Sequence, residues 1–196
     1  NKRFQLNSIG KGISYDRVAN DFLWLKDAGV AIPVYNISEP KLPLIISENR
    51  NLFKLFFSDI GLLTSRYSIA VKIAVLNKDS SINNGALFEN AVAQELCAHG
   101  FEVYYFNNKK QGELDFVIEY EGEALPLEVK SGKDYTKHRA LNHVLESPNY
   151  HIQNAIVFCN ENIEVKDQIF YCPIYMAGFL EKRTVPEDYI YTLDLS

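Results

Sequence analysis

The stretch GELDFVIEYEGEALPLEVKSG, residues 112–132, constrains the fold more than any other. Two runs within it, ELDFVIEY and ALPLEVK, alternate apolar and polar side chains with the period of two that belongs to a β-strand. The break around Gly122 reads as a hairpin turn. With the turn at Gly122 and Glu123, Glu121 faces Ala124, and Leu114, Phe116, Ile118 and Tyr120 share one face. Glu113, Asp115, Val117 and Glu119 share the other. The same register sets Asp115 opposite Lys130, with Glu128 as its diagonal neighbour on that face. Two carboxylates brought together repel and raise each other's pKa unless a cation sits among them. The ordinary explanation is a solvated polar face with cross-strand ion pairs, the default for a half-exposed antiparallel pair. A third acid from elsewhere in the chain would tilt the balance toward a site.

Hydrophobic residues make up 47% of the 196, enough for one ordinary domain or two small ones. No apolar run reaches the length of a membrane span, and the polar opening NKRFQLNSIGKG lacks a signal-peptide core. A cytoplasmic protein without membrane contact is expected. The chain does not open on Met and reads as a piece of a longer protein. Cys97, Cys159 and Cys172 are odd in number and widely spaced, which argues for reduced core thiols and against a disulfide framework or zinc site. Charge is unevenly divided. Residues 1–82 carry 11 Lys and Arg against 7 Asp and Glu, whereas the remainder carries 9 against 18. Two units with different surfaces are expected, and the acidic second unit argues against broad phosphate binding over its surface.

Along the chain, SYDRVANDFLWLKDAGV reads as a helix, with Val18, Phe22 and Leu25 on one face, Ser14 as N-cap and Gly29 as stop. The β-rich runs VAIPVYNI, LPLII and LFKLFF follow, and then SDIGLLTSRYSIAVKIAVLNK, helical in pieces. This order suits a winged-helix-like segment over residues 1–80. Trp24, Tyr35 and the phenylalanines are read as core. From residue 81 onward the pattern is α-β-β-β-α-β, an α/β arrangement. It comprises the helix NNGALFENAVAQELCAHG, the strand FEVYYF, the two hairpin strands, a helix at about 135–147 and the strand NAIVFC. The segment DQIFYC adds a further β run and PIYMAGFLEK a last helix.

The first of these helices carries an apolar stripe of Phe88, Ala91, Val92 and Leu96, with Glu89 on its rim. Laid across the sheet edge, it would deliver Glu89 as the third carboxylate beside Asp115 and Glu128. Glu95, nearer the centre of the stripe, needs a partner and is read as structural. Mg²⁺ suits such a cluster because it prefers oxygen ligands and keeps waters beside one or two carboxylates. The same geometry suits phosphodiester hydrolysis, with Lys130 orienting the nucleophile or stabilising phosphoryl oxygens. The four histidines show no H-E-x-x-H spacing and are read as surface or packing residues. The basic run KSGKDYTKHR, residues 130–139, is either a phosphate contact or a solvated loop.

Taken together, GALFE with Glu89, HGFEVYYF, GELDFVI with Asp115 and LEVKSG with Glu128 and Lys130 resemble the PD-(D/E)xK nuclease superfamily. Their order is similar to that of archaeal Holliday-junction resolvases. The resemblance implies a restriction-endonuclease-like α-β-β-β-α-β core, with Glu89, Asp115 and Glu128 as ligands of Mg²⁺ or Mn²⁺. Asp115, Glu128 and Lys130 would be catalytic. Leu114 stands where the motif's name has proline. FFSDIGLLTSRY, GALFENAVAQEL, GELDFVI and LEVKSG also resemble, over most of the chain, the domain of unknown function attached C-terminally to AAA-type ATPases of bacteria and archaea. That likeness implies a winged-helix-like connection over 1–80, a nuclease-like domain over 81–196 and a P-loop ATPase preceding both. ATP would bind only in that preceding portion, because IGKGIS lacks the G-x-x-x-x-G-K-[ST] spacing. Two functions stay open: a metal-dependent nuclease acting on DNA, or a noncatalytic module that regulates or targets the ATPase.

Overall fold

The protein is described by a computed structural model over residues 4–5, 15–77, 79 and 81–182. Its centre is a nine-stranded mixed sheet in the order β1-β3-β2-β4-β5-β6-β7-β9-β8. The strands are β1 (Phe4–Gln5), β2 (Ala31–Ile37), β3 (Glu48–Phe57), β4 (Tyr104–Asn108), β5 (Gly112–Tyr120), β6 (Glu123–Val129), β7 (Ala155–Cys159), β8 (Glu164–Lys166) and β9 (Ile169–Pro173). Antiparallel pairs dominate, and the parallel ones are β2 with β4, β6 with β7 and β7 with β9. The helices are α1 (Tyr15–Asp27), α2 (Ile60–Ser65), α3 (Ile69–Leu76), α4 (Gly85–Ala98) and α5 (Arg139–Leu145). The chain from α4 to β7 therefore runs α-β-β-β-α-β, as the periodicity predicts. The boundary expected near residue 80 falls between α3 and α4, and the sheet runs across it through the pairing of β2 with β4.

Two apolar layers flank the sheet. On one side Val92, Ala93 and Leu96 of α4 pack with Val34, Tyr105, Phe116, Ile118 and Leu127. On the other, Leu141 and Val144 of α5 pack with Phe106, Leu114, Val117 and Val157. The buried side of α4 also includes Leu87 and Asn90, while Phe88 and Ala91 are only half-buried, so its inner face is turned from the expected stripe. The reason is Asn90. Its amide accepts from Phe57 N–H at 2.8 Å and donates to Phe57 carbonyl at 2.9 Å, tying α4 to the end of β3. A polar residue in a buried contact is favourable when both of its groups are paired.

Several local expectations change. LPLII forms a 3₁₀ turn at Leu44–Ser47 rather than a strand, and PIYMAGFLEK forms a 3₁₀ turn at Ile174–Phe179 rather than a full helix. Trp24 is 76% exposed and Leu25 is exposed, so α1 buries Phe22 but not the whole predicted stripe. Gly29 does end the α1 region in a left-handed conformation, φ 65°. Ser14 lies outside the described residues. The three cysteines are free, with Cys159 and Cys172 buried. Among the described residues no helix is long and apolar enough to cross a membrane.

Candidate functional site

The hairpin that nominates the site is present, but its register differs from the expected one. Tyr120 pairs with Glu123 and Glu119 with Ala124, so the turn residues are Glu121 and Gly122, at φ 51° and 82°. Positive φ at both positions is the signature of the type I′ turn, whose twist matches that of the strands it joins. Ala124 thus pairs two residues earlier on β5 than expected. A shift of two keeps every side chain on its face, yet it changes the neighbour of Asp115. Phe116 pairs with Leu127, which brings Glu128 rather than Lys130 level with Asp115.

A second departure re-aims the acids. Between Tyr104 and Phe106 of β4 the partner strand advances from Val117 to Leu114, three residues against two, which is a β-bulge. The alternation breaks there: Leu114 packs in the α5 layer with Val117, whereas Phe116 and Ile118 pack in the α4 layer. Leu114 therefore does not share the face of Phe116, Ile118 and Tyr120. Asp115, inside the bulge, turns its side chain along the sheet, and Oδ2 accepts a hydrogen bond from Val129 N–H at 2.9 Å. Gly112 opens β5 at φ 100°, and a Cβ there would stand 2.9 Å from Cβ of Ala140, so glycine lets α5 approach the strand.

Glu128 is 3% exposed and hydrogen-bonded to both Asp115 and Lys130, with Lys130 Nζ 3.1 Å from Oε2. Burial, and then the adjacent Asp115 charge, push the Glu128 carboxyl up to about 8, against a smaller opposing pull from Lys130. Burial beside Asp115 thus favours the protonated form of the Glu128 carboxyl. Lys130 is partly exposed and its backbone N–H donates to Phe158 carbonyl at 2.8 Å, which fixes the strand beneath it. The helix N-terminus lies close by: a Cβ on Gly85 would come 3.7 Å from Ser131 Oγ, in the loop after Lys130.

The residue that the sequence reading missed is Lys54, on β3. It is 3% exposed, with Nζ 2.8 Å from Glu113 Oε1, 3.8 Å from Asp115 Oδ1 and 5.2 Å from the centre of the Tyr105 ring. Burial pulls its ammonium down, but Asp115, Glu113 and Glu89 together raise it above the ordinary lysine value. Glu89 is half-buried, and its charge acts on Lys54. Asp115 and Glu128 thus meet beside Lys130, and Asp115 also meets Lys54, which the sequence reading left out; Glu89 is linked to Lys54 by its charge, and among the described residues it does not join Asp115 and Glu128 in a group arranged to hold a metal. A signal was available: Lys54 interrupts the apolar run LFKLFF, and a cation in a buried strand needs acids.

As ligands, Asp115 and Glu128 fit the one or two carboxylates that Mg²⁺ takes beside its waters. Among the described residues no group of three or more His, Cys, Asp and Glu is arranged to hold a metal ion. Of the histidines, His138 is a packing residue, its ring bonded to Asn142 Oδ1 at 2.7 Å and Tyr171 Oη at 2.6 Å. In the basic run, Lys133, Lys137 and Arg139 are exposed, and Lys137 pairs with Asp134 at 2.8 Å. A cleft of about 500 Å³ lined by Phe22, Tyr35, Arg50, Phe101 and Tyr104 is separate, with none of the clustered acids in its walls.

The acid pair, the adjacent lysine and the helix before them make up one connected stretch of chain, and that stretch has relatives. Residues 84–176 match the family model described as Domain of unknown function (DUF4143). The DUF4143 match opens at the residue before α4 and closes within the last 3₁₀ turn, so it covers Glu89, Glu113, Asp115, Glu128 and Lys130. Lys54 lies outside the DUF4143 stretch. No curated protein and no solved structure matched the chain.

Proposed function

We propose that this chain carries a PD-(D/E)xK nuclease-like domain whose Asp115, Glu128 and Lys130 cluster acts on DNA phosphodiesters with a divalent cation. The observation that carries the proposal is the meeting of part-buried Asp115 with buried Glu128, whose Oε2 has Lys130 Nζ at 3.1 Å. Two adjacent carboxyls, one of them buried, favour exchange of a proton for a cation. Bound there, Mg²⁺ or Mn²⁺ would supply charge neutralisation at the phosphate. The chain's own groups do the rest. Asp115 is held by Val129 N–H, Glu128 is braced by Lys130, and Lys130 itself reaches solvent to orient water or the phosphoryl oxygens. Exposed Lys133, Lys137 and Arg139 supply backbone contacts on an otherwise acidic unit. The test is calorimetric titration with Mn²⁺ of wild type and Asp115→Asn, followed by DNA cleavage with wild type and Lys130→Ala. Heat in the wild type alone, and cleavage lost in Lys130→Ala, are the expected results. A wild type that takes up no Mn²⁺ ends the metal-dependent reading.

A second reading rests on a different surface. α2 and α3 bury no residue, and Leu62, Ile69, Ile73 and Leu76 are exposed. Clustered apolar exposure of this kind suits a protein contact, and the partner in this reading is the AAA-type ATPase portion of the same protein. The domain would then regulate or target the ATPase without cleaving DNA. Ile69→Glu with Leu76→Glu would abolish co-purification of the separately expressed ATPase portion while leaving any cleavage intact. Undiminished co-purification would remove this reading.

A further inference from the structure

Lys54 does more than balance charge in a general way. It stands on β3, and Glu113 and Asp115 stand on β5, with β2 and β4 between them in the sheet. Its ammonium crosses those strands over the Tyr105 ring and meets the two acids at the bulge that breaks the alternation of β5. Burying an ammonium is costly unless acids compensate it. Here they come from β5 and α4, on the far side of the boundary expected at residue 80.

We propose that Lys54 is the positioning residue of the site and its resident counter-ion: it fixes the Asp115 and Glu113 carboxylates and lowers the affinity of the Asp115–Glu128 pair for a divalent cation. The reasoning is electrostatic. A fixed positive charge 3.8 Å from Asp115 Oδ1 opposes a second cation on the same carboxylate, and burial weakens the screening that water would provide. Glu113, at 2.8 Å, draws the ammonium toward itself and so limits that opposition. The strand that precedes the DUF4143 match thereby sets how readily the acids inside the match accept metal. The inference rests on the reading of Asp115 and Glu128 as the pair that faces a cation, and not on DNA cleavage.

The test is calorimetric Mn²⁺ titration at fixed ionic strength of the full chain and of Lys54→Gln, Lys54→Arg and Glu113→Gln, with thermal melting in the presence and absence of Mn²⁺. Lys54→Gln is expected to bind Mn²⁺ at least tenfold more tightly than wild type, and to gain melting temperature on Mn²⁺ addition. Lys54→Arg, which keeps the charge, is expected to stay within about threefold of wild type. Glu113→Gln releases the ammonium toward Asp115 and is expected to bind more weakly. That variant also keeps the proposal testable if Lys54→Gln does not fold. A folded Lys54→Gln with unchanged or weaker affinity overturns the proposal, as does a Lys54→Arg that gains as much as Lys54→Gln, or a Glu113→Gln that binds no more weakly than wild type. A wild type that takes up no Mn²⁺ while Lys54→Gln does would end the nuclease reading and leave the role of Lys54 standing. A wild type that binds and cleaves, with Lys54→Gln no tighter, would do the reverse.

Discussion

Asp115 Oδ2 accepts the backbone N–H of Val129 at 2.9 Å, so one carboxylate joins strand β6 to β5 where the regular ladder gives way. The same residue thus has a structural bond and a chemical task, and substitutions should separate them. Asp115→Ala leaves a part-buried N–H without its acceptor and is expected to cost roughly 1–3 kcal/mol. Asp115→Asn keeps an oxygen acceptor while removing the charge, and should melt closer to wild type than Asp115→Ala. Thermal melts of the two variants, beside their Mn²⁺ titrations, check this: equal losses of stability would contradict the hydrogen-bond account.

The buried Glu128 carboxyl gives the fold a pH dependence of known sign. Its pKa rises from 4.5 to about 8 on folding. The folded state therefore holds a proton that the unfolded state has released, and the stability from this group is full below about pH 4.5 and lost as pH rises through about 8. The effect is on the order of a few kcal/mol. Glu128→Gln cannot lose that proton. The melting temperature of Glu128→Gln minus that of wild type is expected to grow steadily between about pH 5 and pH 8. A difference independent of pH would show that Glu128 is not held protonated.

Asn90 anchors α4 to the sheet through a two-way bond with the Phe57 backbone. Asn90→Ala removes both partners at once and should destabilise the protein by about 2–6 kcal/mol, twice the usual loss for one unsatisfied buried group. Because α4 also carries Glu89, the loosened helix should weaken metal uptake as well. Chemical denaturation of Asn90→Ala measures the first effect, and a loss below about 0.5 kcal/mol would be too small for a buried two-bond anchor.

The thiols should react slowly and unequally. Burial pushes Cys172 up to about 12 and Cys97 up to about 11, so little thiolate is present near neutral pH. Cys159 and Cys172 are also shielded from reagent, while Cys97 is half-buried. Alkylation of the native protein is expected to label Cys97 first and the other two only on unfolding. Rapid labelling of Cys172 in the folded protein would contradict its placement.

Much of the architecture is legible because its signals are local. The α-β-β-β-α-β order from α4 to β7 follows from helical and strand periods, and the hairpin acids stand out because they interrupt apolar alternation. LPLII and PIYMAGFLEK carry no such signal, since short apolar runs suit a strand, a helix or a 3₁₀ turn equally and their neighbours decide. Trp24 illustrates the same limit on α1, where helical spacing names a face but not what covers it.

The sequence alone determined that Asp115 and Glu128 would lie on paired strands with Lys130 just beyond, and that Glu89 would precede them on a helix. Alternation and helical period depend only on neighbours in the chain. Tertiary structure decided which of these groups meet. The type I′ turn at Glu121 and Gly122 moved the pairing by two residues, and the bulge at Asp115 turned its side chain along the sheet. Lys54 arrived from β3, three places along the sheet from β5. Register, bulges and contacts between distant strands are settled by the packing of the whole sheet, and no short window of sequence contains that balance.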